Sequence, residues 1–112
     1  MKKIEIVIRP EKLESVRHAL ELAGSSGVMI TEIEGHGKQK GVVQQWRGEK
    51  YKVELLPKIK LDVVVKDDEV EKITKVIIEA AYTGDIGDGK IFISPVEDAI
   101  RIRTKERGNI AL

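Results

Sequence analysis

The sequence predicts an α+β fold in which two helices cover one face of an antiparallel sheet, and two observations carry that reading. First, a strand-turn-helix pattern occurs twice. Ile4, Ile6, Ile8, Leu13, Val16, Leu20 and Ala23 are matched, at a constant displacement, by Leu61, Val63, Val65, Val70, Ile73, Ile77 and Ala80. In each set the first three residues alternate as in a strand, and the other four follow the three-and-four spacing of a buried helical stripe. Second, Val28 to Ile33 and Ile91 to Ile93 supply one further strand to each unit. The resulting order, β-α-β-β-α-β, is the ferredoxin-like double βαβ arrangement. Duplication explains the match; chance similarity of two amphipathic units is the alternative.

Each element has local signals. Pro10 and Gly24 bracket the first helix, Asp68-x-x-Glu71 has the spacing of a capping box, and Gly84 offers a C-terminal stop to the second helix. The stretch from His36 to Pro57 is too long for a hairpin between the two central strands, and structureless connections of this length are usually functional. Gly35, Gly37, Gly41 and Gly48 give it freedom, while Val42, Val43, Trp46 and Tyr51 give it apolar surface for a partner. It reads as a mobile interaction loop; an extended hairpin arm is the alternative. In Ala99 to Gly108, strand-like alternation would set Arg101 and Arg103 on one side and Ile100 and Ile102 on the other, which suits either an anion between the guanidiniums or a solvated basic edge.

Composition bounds the function. The 112 residues make one domain, whose association with further copies could add burial. Charged residues are 35% of the chain but sum to a formal charge of +1, so general attraction to nucleic acid or to an anionic membrane has no basis. The absence of cysteine excludes disulfides and thiolate metal sites. No apolar run resembles a signal h-region or a membrane span, so the chain reads as cytoplasmic. RNA-binding domains with this strand order need aromatic stacking residues on the central strands, yet Phe92 is the only aromatic residue read as lying in a strand. A phosphohydrolase needs a nucleophile with a base partner, and no such pair is visible; the chain is not expected to be an enzyme.

The segment "TGDIGDGKIFI", Thr83 to Ile93, places Gly84, Gly89 and Lys90 at P-loop spacing. Ile91 stands where a P-loop has its magnesium-binding Ser or Thr, and the segment closes a helix and opens a strand, the reverse of a P-loop. Gly87 and Gly89 can nevertheless turn backbone N–H groups toward an anion, with Lys90 adding a point charge. Together with Asp88, Arg101 and Arg103 they could hold a polyphosphate.

The motifs "GHGKQKG", "RGEKY", "LLPKIKLDVVV", "TGDIGDGKIFI" and "IRIRT", in this order and spacing, resemble those of the PII nitrogen-regulatory signal proteins, and the resemblance spans essentially the whole chain. It implies a single PII domain over residues 1–112, with a T-loop over about 37–55, a B-loop over about 83–90 and a C-terminal segment over about 99–112. It also implies a homotrimer with nucleotide sites between subunits. Gly87, Asp88, Gly89 and Lys90 would then hold the phosphates of ATP or ADP, joined by Arg101 and Arg103, with Gly37, Lys38 and Gln39 near the phosphates and Met29 and Val64 near the adenine. Gln39 would ligate Mg2+ when 2-oxoglutarate binds, Lys58 would pair with the distal carboxylate of the ketoacid, and Lys40, Gly41 and Gly87 would line its site. Arg47 and Tyr51 would meet a partner, and Tyr51 matches a tyrosine that is uridylylated in some members.

Three positions depart from the common pattern of that family. Met29 replaces a threonine that contacts the base, Lys38 replaces an arginine and so gives a point charge for a fork, and Glu49 replaces a serine that some relatives phosphorylate. The expected function is nitrogen-regulatory sensing of ATP, ADP and 2-oxoglutarate, with the T-loop of a GlnK-like protein inhibiting an ammonium channel. The membrane would be met only through that channel, at its inner face. A soluble nitrogen-assimilation enzyme, such as glutamine synthetase or N-acetylglutamate kinase, is the alternative target.

Overall fold

A computed structural model describes residues 1–25, 27–35, 43–46, 49–52 and 56–112, with the backbone alone described for 43–46 and 49–52. Strand β1 (Lys2–Ile8) is followed by a 3-10 turn and helix α1 (Leu13–Leu22), then by β2 (Met29–Gly35). Strands β3 (Val43–Trp46) and β4 (Glu49–Lys52) precede β5 (Leu56–Val65), a second 3-10 turn, α2 (Val70–Ala81) and β6 (Gly89–Pro95). The main sheet has the order β2-β5-β1-β6, and all its neighbours are antiparallel. This is the ferredoxin-like topology that the repeated pattern predicts.

The two apolar sets form the core. Ile4, Ile6 and Ile8 of β1 and Leu61, Val63 and Val65 of β5 are buried beneath Val16 and Leu20 of α1 and Val70, Ile73 and Ile77 of α2, with Leu13, Ala23 and Ala80 packed at the margin. The register sets the two repeats face to face, Ile4 opposite Val63 and Ile6 opposite Leu61. Apolar burial on this one face is the main force holding helices to sheet.

Pro10 opens the 3-10 turn that leads into α1. At the other end Gly24, with φ 89°, donates to the Glu21 carbonyl at 3.0 Å, and Ser25 N–H donates to the Leu20 carbonyl at 2.9 Å. That pair of bonds is a Schellman motif. The second helix corrects the sequence reading at both ends. Asp68 lies in the 3-10 turn Asp67–Glu69 and the N-cap of α2 is Glu69, with no side-chain capping bond, so no capping box forms. Tyr82 leaves the helix in extended geometry, before Gly84 is reached.

The connection between the central strands is also corrected. Instead of a wholly structureless loop, β3 and β4 pair antiparallel, from Val43 opposite Lys52 to Trp46 opposite Glu49. They form a two-stranded sheet separate from the main one. The reason is local, since Val43, Trp46 and Tyr51 favour extended backbone and only two residues part the strands.

The face opposite the helices carries the alternate residues: Lys3, Glu5 and Val7 of β1, Lys58, Lys60, Asp62 and Val64 of β5, Lys90 and Phe92 of β6, and Met29 of β2. Val7 and Val64 are half-buried, and Met29 and Phe92 are exposed. Lys60 Nζ lies 3.7 Å from Glu5 and 3.8 Å from Asp62, joining two carboxylates that face each other across the strands. Asp62 is buried, and its Oδ1 has no hydrogen-bond partner among the described residues.

Candidate functional site

The loop between α2 and β6 is organised around one carboxylate. Asp88 accepts hydrogen bonds from the Thr83 hydroxyl, from the N–H groups of Thr83 and Gly84 at 2.9 and 3.0 Å, and from Arg9 Nε at 3.3 Å. These donors, the Thr83 hydroxyl first, hold the Asp88 carboxyl well below the usual carboxylate range. Arg9 also donates through Nη2 to the Ile86 carbonyl at 2.9 Å, and Lys58 Nζ donates to the Gly87 carbonyl at 2.9 Å. Two cations from outside the loop therefore grip its backbone. Burial, and then the nearby Arg9 charge, hold the Lys58 ammonium below the usual lysine range, so an added anion would be favoured beside it.

Gly87 and Gly89 have φ of 102° and 110°, left-handed backbone that favours glycine. A Cβ on Gly89 would stand 1.8 Å from the Val7 carbonyl oxygen, so close approach to β1 excludes any side chain there. Gly89 and Lys90 are the first residues of β6 rather than the last of the loop. Because a strand and not a helix follows, the P-loop match is a coincidence of spacing. The ≈ 260 Å³ cavity beneath this loop is lined largely by Ile8, Ile77, Ile78, Ala81 and Ile91, and it has no phosphate character beyond its rim of Asp88 and Lys90. A second depression, of ≈ 510 Å³, lies beside Lys58 and is lined also by Glu32, Glu34 and Pro57.

The C-terminal segment departs from the sequence reading. Residues 99–108 are not a strand but a turn closed by the Ile100–Arg107 bridge and by bonds from Arg101 N–H to the Glu106 carbonyl and from Gly108 N–H to the Ala99 carbonyl. Residues 102–104 form a turn closed by Lys105 N–H donating to the Arg101 carbonyl at 2.8 Å, which breaks the alternation that would have aligned Arg101 with Arg103, and Lys105, with φ 63°, has the left-handed geometry of a reversal. Arg101 donates to Glu106 Oε1 at 2.9 Å and to the Ile110 carbonyl at 2.9 Å, while Arg103 is exposed and has no ion pair with any described residue.

The residues singled out from sequence divide between the two ends of the sheet. Gly89 pairs with Ile8, and Lys58 lies beside Gly87, at one end. Val64 pairs with Lys3, five residues back along β1 and roughly 17 Å away at about 3.4 Å per residue. The C-terminal segment leaves β6 at that far end, where Lys2 pairs with Pro95. Met29, opposite Asp62, lies between the two ends. Gly37, Lys38, Gln39, Lys40, Gly41 and Arg47 fall outside the described residues, and of Tyr51 only the backbone is described, opposite Gln44 in the hairpin. Sequence reasoning missed Arg9, because its bond to Asp88 spans 79 positions and leaves no local pattern.

The fold and loop define a ferredoxin-like domain with left-handed glycines at the start of an edge strand. Residues 1–106 match the family model for nitrogen regulatory protein P-II. The chain is 54% identical over its full length to the nitrogen regulatory protein P-II of Cereibacter sphaeroides, and all of that relative is covered. It is 51% identical over its full length to nitrogen regulatory protein P-II 2 of Methanothermobacter thermautotrophicus, of which 97% is covered, and 48% identical to the P-II protein of Porphyra purpurea, with both chains fully covered. The chain belongs to the P-II family of nitrogen regulatory proteins.

Proposed function

We propose that this regulator binds ATP or ADP at sites completed between neighbouring copies of the chain, with Mg2+ and 2-oxoglutarate as further effectors. The observation that carries the reading is the left-handed backbone of Gly87 and Gly89, in a loop anchored by Asp88, Arg9 and Lys58 and followed at once by Lys90, which suits an anion nest. Its N–H groups and the lysine suit the phosphates common to both nucleotides. Asp88 takes part through its backbone and through the shape of the loop, since its carboxylate already accepts four hydrogen bonds. Gly37, Lys38 and Gln39 complete the phosphate end, while Met29 and Val64 receive the base and Arg101 and Arg103 approach from the C-terminal segment. The far-end residues come from a second copy, because within one chain they lie at the opposite end of the sheet from the nest. A homotrimer would satisfy this arrangement and cover the open face.

In this reading Gln39 and ligand oxygens hold Mg2+, which favours oxygen donors. Lys58 exchanges the Gly87 carbonyl for the distal carboxylate of 2-oxoglutarate, whose site also includes Lys40 and Gly41. The segment bearing Arg47 and Tyr51 then changes its offer to an ammonium channel. A nitrogen-assimilation enzyme as target is the second reading, and the adjacency of Lys58 to the nest supports the ligand chemistry of both equally.

Calorimetry on Lys90→Ala tests the site. ATP and ADP affinity should fall together by about tenfold to a hundredfold, the loss of one charge-assisted contact of roughly 1.5 to 3 kcal/mol. Unchanged affinity for both would overturn the assignment. Gln39→Ala should spare ADP and abolish the enhancement of Mg-ATP binding by 2-oxoglutarate.

A further inference from the structure

We propose that Glu106 is an internal competitor for the ligand phosphate, so that a nucleotide drawing on both terminal nitrogens of Arg101 unfastens the C-terminal turn. The inference rests on the nucleotide reading above. Both terminal nitrogens of Arg101 are engaged inside its own segment. Nη1 donates to Glu106 Oε1 at 2.9 Å, while Nη2 donates to the Ile110 carbonyl at 2.9 Å and to a main-chain oxygen of Leu112 at 3.4 Å. The same guanidinium thus pairs with the Glu106 carboxylate and ties down the last helical turn, Gly108–Ala111. The neighbouring arginine is occupied similarly, with Arg107 Nε 2.8 Å from Asp98 Oδ2. Of the three arginines in this segment, only Arg103 has no ion pair with a described residue.

Two anions cannot both neutralise one guanidinium without lying close to each other. A phosphate approaching Arg101 is repelled by Glu106 and, where it draws on the bonded donors of Nη1 and Nη2, competes with Glu106 and with the two main-chain oxygens. The pair is built to yield, because its side chains are 36% and 33% exposed, and exposed ion pairs are weak. Glu106 therefore lowers affinity for nucleotide without closing the site. The exchange also carries information, since the bonds that Arg101 gives up are those that hold Ile110 and Leu112. Occupancy of the site is then read out at the chain's end as loosening of the last turn.

The test is calorimetry with ADP and with ATP on the full-length wild type, Glu106→Gln, Arg101→Gln and the double variant, with circular dichroism to check the fold. Glu106→Gln should bind both nucleotides about 1.5-fold to fivefold more tightly, the range expected on releasing an exposed pair. In the Arg101→Gln background the same change should give no gain. Saturating ADP should also speed amide exchange at residues 110–112 of the wild type. A wild type that binds nucleotide, with Glu106→Gln binding no more tightly, would overturn the proposal and leave the nucleotide site standing. Equal gain in both backgrounds would do the same, by showing general repulsion rather than competition for Arg101. A wild type that binds neither nucleotide would overturn both.

Discussion

At the scale of single residues, Asp88 and Gly89 shape the loop between α2 and β6. Asp88 stays ionised because Thr83, Gly84 and Arg9 all donate to it. Its folded pKa lies below the ordinary 3.8, so its contribution to loop order is complete above that value and is lost only as pH falls through the depressed one. The amide resonances of Thr83 and Gly84 should accordingly hold steady from neutral pH down to about 4; a titration centred near the ordinary carboxylate value of about 4 would contradict this. At Gly89, an alanine would meet the Val7 carbonyl and adopt a φ that side chains avoid. Gly89→Ala should cost roughly 2 to 4 kcal/mol in chemical denaturation. A variant as stable as the wild type would show that β6 can shift away from β1.

At the scale of elements, the two helices end by different means, and the difference can be measured. Helix α1 stops in a Schellman motif whose Gly24 has open space where a side chain would be, so only backbone geometry opposes substitution. Gly24→Ala should lower stability by about 1 to 2 kcal/mol. Asp68→Ala should cost less than about 0.5 kcal/mol, because Asp68 makes no capping bond, whereas a true cap is worth about 1. Thermal melts of the two variants should rank in that order, and a larger loss at Asp68 would restore the capping box. The C-terminal segment shows why pattern alone misled. Ile-Arg-Ile-Arg alternates as a strand does, but residues 102–104 form a turn and Arg101 folds back on Glu106.

At the scale of the molecule, the sheet has one covered face and one open face. The open one carries Val7, Val64, Phe92 and Met29 around a charge cluster in which one Asp62 oxygen has no hydrogen-bond partner among the described residues. A second copy could cover the apolar part and supply a donor, which agrees with a nucleotide site divided between subunits. Val64→Asp would place a charge in that contact. Light scattering should then show a smaller assembly than the wild type at the same micromolar concentration, and a wild type that is itself monomeric would contradict the shared site.

The amino-acid sequence by itself determined the core and the topology, because burial on one face imposes periods that are visible in order: all fourteen residues of the two matched sets lie in the core or at its margin. It also marked the left-handed backbone at Gly87 and Gly89, which leaves a residue-type signature. What only the tertiary structure decided are the relations without a period. Arg9 reaches Asp88 across the sheet, Lys58 reaches Gly87, Arg101 turns to Glu106, and the two halves of the candidate site fall at opposite ends of one sheet. Such contacts depend on where folded elements set distant residues in space, and local patterning records the face on which a side chain stands but not the partner it meets.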